Sequence, residues 1–188
     1  MKNKPTNMQV LTTALMGFLL LTGVPTADAA TSSPVVKSEG PALAVNMTAY
    51  NAVPGQTDDD PSTTASGAYS DPNIVAARSV DLADKLPFGT VVAIEGASDS
   101  PSCGYSAVGH LIGLRVIADS MNPKMHNKVD ILFPQSTTIG SKTENPALVL
   151  GKCKVTVRVV GHVSIASIPK TQEALASAIG QSDLATAK

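Results

Sequence analysis

Asp119 and Asp130 stand eleven residues apart, and each belongs to a short apolar run. Asp130 lies inside Val129-Asp130-Ile131-Leu132-Phe133, and Asp119 closes Leu114-Arg115-Val116-Ile117-Ala118. A carboxyl in apolar surroundings is desolvated, which disfavours its charged form, and a second carboxyl nearby adds like-charge repulsion. Both effects raise a pKa. A carboxyl that keeps its proton toward neutral pH is what general-acid catalysis needs. A strand-end aspartate that caps a turn or faces solvent carries the same local sequence, so spacing alone leaves both roles open. An aspartic-protease pair would want Gly after Asp-Ser, and Met121 stands there instead.

Other chemistries find little support. His110, His126 and His162 are scattered without metal-ligand spacing. The two cysteines form no CxxC and have no clustered histidines, so no zinc site and no cofactor are expected. Charged residues are 15% of the chain and its formal net charge is −1. A nucleic-acid binder needs a basic face, and this chain has none, so no nucleic-acid partner is expected. There is no Trp, and only three Tyr and three Phe. A sugar site here has no broad indole platform and is expected to rely on hydroxyls, amides and backbone. Thr64 and Ser66 are candidates for such contacts, although loop hydroxyls often serve their own backbone. Lys124, His126 and Lys128 make a mildly basic approach to Asp130.

The elements that must position these residues are short. Ala44 to Asn51 reads as a first strand, and residues 53–73 carry the Gly, Pro, Asp, Ser and Thr of a loop. Further β-like runs are Ile74-Val75-Ala76-Ala77, Thr90-Val91-Val92-Ala93-Ile94, and the two runs that hold the aspartates. In Lys154-Val155-Thr156-Val157-Arg158-Val159-Val160 valine alternates with polar residues, the period of a half-buried strand. Asn145-Pro146-Ala147-Leu148-Val149-Leu150-Gly151 predicts one helical turn stopped at Gly151. Short strands, frequent turns and little helix predict a small closed β-barrel over residues 44–165. Residues 166–188 are a tail, read as a weak helix around Leu175, Ile179 and Leu184 or as a frayed end.

Residues 1–29 have the three parts of a secretory signal peptide. These are Lys2 and Lys4, an apolar run over 11–21 too short to span a bilayer, and Ala27-Asp28-Ala29 as a cleavage site. Residues 30–43 read as a flexible leader. The expected protein is exported to a periplasm, cell wall or medium, is not inserted in a membrane after cleavage, and is a monomer. Export makes a disulfide between Cys103 and Cys153 the favoured reading over two free thiols. Closing a loop of about 50 residues stabilises by about 4 kcal/mol in the chain-entropy account.

Four segments in order carry a family resemblance. They are Thr48-Ala49-Tyr50, Gln56-Thr57-Asp58-Asp59-Asp60-Pro61 with Thr64-Ala65-Ser66-Gly67, Leu86-Pro87-Phe88-Gly89-Thr90, and Ala118-Asp119-Ser120-Met121-Asn122-Pro123 leading to Val129-Asp130-Ile131. The series resembles the 3D-domain family of exported bacterial cell-wall proteins, over roughly residues 46–163. The resemblance implies a mainly β fold, a six-stranded double-psi β-barrel with short helical turns, shared with membrane-bound lytic transglycosylase A and rare lipoprotein A. It implies cleavage of peptidoglycan glycan strands between N-acetylmuramic acid and N-acetylglucosamine, with a 1,6-anhydro product. Asp130 would be the catalytic acid, Asp119 its orienting or tuning partner, and Asp81 the third family aspartate, with Asp84 as competitor. Asp58, Thr64, Ser66 and Lys128 would contact substrate, Lys128 by attracting peptide carboxylates. The chain departs from the family at Asp119-Ser120-Met121-Asn122, where lytic members carry Asp-Thr-Gly-Gly. That form resembles a second branch, and the alternative function is a non-catalytic, expansin-like polysaccharide-binding module.

Overall fold

A computed structural model describes residues 40–186, other than 58, 98 and 99. The expected signal peptide, most of the leader and Asp58 lie outside the described residues. Eight strands are present: β1 (Ala42–Tyr50), β2 (Val75–Arg78), β3 (Thr90–Ala97), β4 (Arg115–Ser120), β5 (Lys128–Leu132), β6 (Thr137–Ile139), β7 (Lys142–Glu144) and β8 (Cys153–His162). Six of them close a barrel in the order β1-β5-β2-β4-β3-β8, with β8 returning to β1. This is the closed β-barrel that the strand pattern predicts, with the six strands that the resemblance implies. Its first strand begins at Ala42, two residues before the expected boundary. Two neighbouring pairs, β1·β5 and β2·β4, are parallel, and the other four pairs are antiparallel.

The barrel is filled by alternation. In β8, Cys153, Val155 and Val157 are buried while Lys154, Thr156 and Arg158 lie outward, as a period of two requires. Val45, Met47, Ala76, Ile117, Val129 and Ile131 meet them inside. A second cluster, with Val116, Ala118, Val160, Leu175 and Ile179, packs outside the barrel wall. Through it the helix α3 (Gln172–Thr186) is docked, with Leu175 and Ile179 fully buried. The Gln172 side chain fixes the start of that helix: its Oε1 accepts from the Leu114 N–H at 2.8 Å, and its Nε2 donates to the Asn73 carbonyl at 2.7 Å. Of the two readings of the tail, residues 172–186 are helical, packed on the barrel wall through Leu175 and Ile179. Among the described residues no helix is long and apolar enough to cross a membrane.

Cys103 and Cys153 are bonded, joining the loop before helix α1 (Tyr105–Val108) to the start of β8. The predicted turn at 146 is helix α2 (Pro146–Leu150). The Asn145 side chain caps it by accepting from the Ala147 N–H, and Gly151 ends it at φ +63°. The sequence reading did not anticipate α1 or the β6–β7 hairpin.

Candidate active site

The strand register places Asp130 and Asp119 in one row across the barrel wall. Thr48 of β1 is opposite Asp130 of β5, Asp130 is opposite Ala77 of β2, and Ala77 is opposite Asp119 of β4. Directly opposed residues point to the same face of a sheet. The row is on the outer face, because Val129 and Ile131 on either side of Asp130 face the interior. Ala77, a methyl between the two aspartates, leaves the space between them open.

Asp119 reaches this row only because β4 carries a bulge. Ala76 pairs with Ile117, and Ala77 then pairs with Asp119, so Ala118 is an extra residue. Without it the alternation from Ile117 would turn Asp119 inward; a bulge re-aims the side chain that follows it. Both loops that flank the bulge bind its carbonyls. Gly89 donates to the Ile117 carbonyl at 2.9 Å, and Ser66 donates to the Ala118 carbonyl at 3.1 Å. Gly89 adopts φ +94°, and a Cβ there would lie 2.4 Å from the Val163 carbonyl oxygen, so only glycine fits. The segment Leu86-Pro87-Phe88-Gly89-Thr90 is therefore a buttress. The Leu86 carbonyl accepts from Arg78 Nε at 2.9 Å, and the Arg78 guanidinium stands over the Phe88 ring at 4.9 Å.

The two carboxyls have different surroundings. Asp119 is held by three donors: Tyr50 Oη to Oδ2 at 2.8 Å, and the Ala65 and Ser120 N–H groups to Oδ1 at 2.9 and 2.8 Å. Asp130 accepts from one side chain, Thr48 Oγ1, at 2.7 Å. Burial raises the Asp130 pKa from 3.8 to about 6; the Thr48 bond and the Lys128 charge oppose the shift, and the Asp119 charge adds to it. Burial, with Asp119 beside it, also holds the Tyr50 phenol well above its ordinary range, so Tyr50 is a permanent O–H donor.

Both aspartates line a groove of about 510 Å³ on the outer wall. The loop after β1 contributes Gln56, Thr57, Thr63, Ala65 and Ser70, and the turn after β4 contributes Met121, Asn122 and Met125. Such a groove offers a proton donor, an oriented carboxyl, and hydroxyl and amide groups for an uncharged polar ligand. Among the described residues no group of three or more His, Cys, Asp and Glu side chains is placed to hold a metal.

The remaining expected site residues lie elsewhere. Asp81 sits outside the groove, on a turn after β2, where its Oδ2 accepts from the Asn127 N–H at 3.0 Å. Bonds from Ser79 first, and then from Asn127, lower its pKa. Asn127 has φ +47°, so Asp81 fixes a strained turn leading into β5 and takes no part in the groove. Thr64 and Ser66 bond each other at 3.0 Å, and Thr64 Oγ1 accepts from the Ala68 N–H at 3.2 Å. Their hydroxyls shape the loop, and the backbone N–H of Ala65 between them is what touches the site. Lys128 lies beside the groove, its Nζ 3.4 Å from Met125 Sδ, and acts on Asp130 through charge. The site residues that sequence reasoning did not assign are Thr48, Tyr50 and Ala77. Thr48 and Tyr50 were visible as alternate residues of one strand, but their partners are about 80 and 70 positions away. Comparison of the sequence with protein-family models found no match, and comparison with curated proteins found none.

Proposed function

We propose that this protein is an exported cell-wall protein of the 3D-domain type that cleaves peptidoglycan glycan strands, with Asp130 as general acid. The observation that carries the reading is the pairing of Asp130 and Asp119 in one groove, with Asp130 raised toward neutral pH by burial. A half-protonated acid near pH 6 is matched to protonating a glycosidic oxygen. Asp130 would give its proton to the bridging oxygen between N-acetylmuramic acid and N-acetylglucosamine, and the anomeric C–O bond breaks. The muramic 6-hydroxyl then bonds to its own anomeric carbon and returns a proton to the Asp130 carboxylate. No water is consumed, and the product is a 1,6-anhydro sugar. Asp119, held by three donors, supplies a fixed negative oxygen beside the developing positive charge. The pair Cys103–Cys153 fits an oxidising compartment.

The test is digestion of purified peptidoglycan sacculi, with muropeptides analysed by mass spectrometry. Anhydro-muropeptides are expected from the native protein and absent with Asp130→Asn. Their absence with the native protein, beside an active control enzyme, overturns the catalytic reading. One observation favours a binding module instead: Met121 and Asn122 line the groove where lytic members of the family carry two glycines. That reading predicts co-sedimentation with sacculi and no bond cleavage.

A further inference from the structure

Tyr69 is the most conspicuous side chain outside the groove. It is 73% exposed, in a chain with no Trp, three Tyr and three Phe. An exposed tyrosine offers a ligand a broad apolar face with a polar tip. The loop is well built: Thr63 pairs with Tyr69 in an antiparallel bridge, the Ser70 N–H donates to the Ser62 carbonyl at 2.9 Å, and the Thr64 N–H donates to the Ala68 carbonyl at 2.8 Å. Tyr69 lines a shallow hollow of about 290 Å³ together with Asp60, Pro61, Ser62 and Ser70. Ser70 also lines the groove that holds Asp119 and Asp130, so the two depressions adjoin at that residue.

From this adjacency we infer that the hollow is a sugar-stacking subsite extending the groove, and that the ligand is a glycan strand several sugars long. This rests on the glycan reading of the groove. A pyranose ring has an apolar C–H face that lies on an aromatic ring, and hydroxyl edges that bond to Ser62, Ser70 and Asp60. A pre-positioned tyrosine gives such contact area at low entropic cost.

The experiment is titration calorimetry of N-acetylglucosamine oligomers of two and six sugars into Asp130→Asn protein, so that nothing is cleaved. The six-sugar oligomer is expected to bind more tightly than the dimer. Adding Tyr69→Ala weakens the six-sugar oligomer by about three- to tenfold, leaves the dimer unchanged, and is reversed by Tyr69→Phe. Unchanged thermal melting confirms that Tyr69→Ala folds. Equal affinity for the two oligomers, or no effect of Tyr69→Ala on the longer one, overturns the subsite and leaves the groove reading intact. Loss of self-association in Tyr69→Ala, with glycan affinity unchanged, shows a protein contact and also overturns it. Binding without anhydro products in the digest overturns catalysis alone. No binding of any oligomer overturns the subsite, and the sacculus digest and co-sedimentation then decide the groove reading by themselves.

Discussion

Arg115 holds its ionisable group fully buried and Asp130 half-buried, and the barrel treats them in opposite ways. Arg115 opens β4 and has no exposed surface. Its guanidinium donates to the carbonyls of Ile112 and Pro72 at 2.7 Å, of Leu111 at 3.1 Å and of Leu132 at 3.2 Å, and it stands over the Phe133 ring. Burial lowers its pKa to about 10, opposed by the charge of Asp71, so it stays a cation at neutral pH. Asp130 has one hydroxyl donor and an open groove on its other side. A buried charge whose hydrogen bonds are all met by backbone fixes chain segments in place. A buried carboxyl with few donors and a route to solvent can hold a proton and release it. The first is architecture and the second is chemistry, although both are costly to bury.

The largest expected effect comes from removing each group in turn. On the proposed function, Asp130→Asn should lower glycan cleavage by about 10²- to 10⁴-fold, the usual range for a general acid, with the circular-dichroism spectrum unchanged. Arg115→Met should do the reverse. It leaves five carbonyls without the guanidinium donor, three of them in buried bonds, and should cost on the order of 3 kcal/mol or more in urea unfolding. Below its melting temperature the variant should keep the pH profile of the native protein. If Arg115→Met shifts that profile while folded, the division between the two buried charges fails.

A smaller effect follows from the raised pKa of Asp130. The unfolded chain titrates this carboxyl near 4 and the folded protein near 6, so the folded state binds more protons in between. Protonated Asp130 therefore contributes stability that is fully present below about pH 4 and is lost as pH rises through about 6. Asp130→Asn should raise stability by about 1–2 kcal/mol at pH 7–8, after allowance for the side open to the groove, and by nothing at pH 4. Thermal melting at the two pH values measures this directly. A variant that is less stable at pH 8 would mean that Asp130, like Arg115, is there for the fold.

The contrast also separates what was legible in the sequence from what was not. Alternation along Lys154–Val160, and an acid flanked by Val129 and Ile131, are local signals, and from them the barrel strands and the placement of Asp130 could be read. The Cys103–Cys153 bond was read from an even cysteine pair together with the expectation of export. Asp119 was harder, because one bulged residue, Ala118, decides which way it points, and no periodicity reports a bulge. Thr48 and Tyr50 reach the site through a parallel pairing of β1 with β5, and parallel register leaves no trace in either strand alone. Thr64, Ser66 and Asp81 have the residue types of ligands, but their hydrogen bonds are made within loops and turns. Among the described side chains α3 docks through Leu175 and Ile179, with Gln172 bonded at its start, too few to give a strong helical stripe. The absence of a broad aromatic platform held as a matter of composition, yet one exposed tyrosine beside the groove was invisible to composition.

The smallest expected effect tests a residue that belongs to both sides of the comparison. Tyr50 is buried as Arg115 is, but its hydrogen bond ends on Asp119 in the groove. Tyr50→Phe keeps the ring in the outer cluster with Val116 and Leu132 and deletes only the Oη donor. The Ala65 and Ser120 N–H groups still hold Oδ1, so Asp119 keeps its place and loses rigidity at Oδ2. A neutral donor to a carboxyl oxygen is worth about 1–2 kcal/mol, and the other two bonds offset part of that. The expected outcome is a fall in kcat of about three- to tenfold with KM nearly unchanged and melting shifted by only a few degrees. A loss of stability as large as that of Arg115→Met, with no change in kcat, would place Tyr50 with the architecture. A selective fall in kcat would place it with the chemistry, because a phenol that never ionises serves that groove only by aiming the carboxyl beside it.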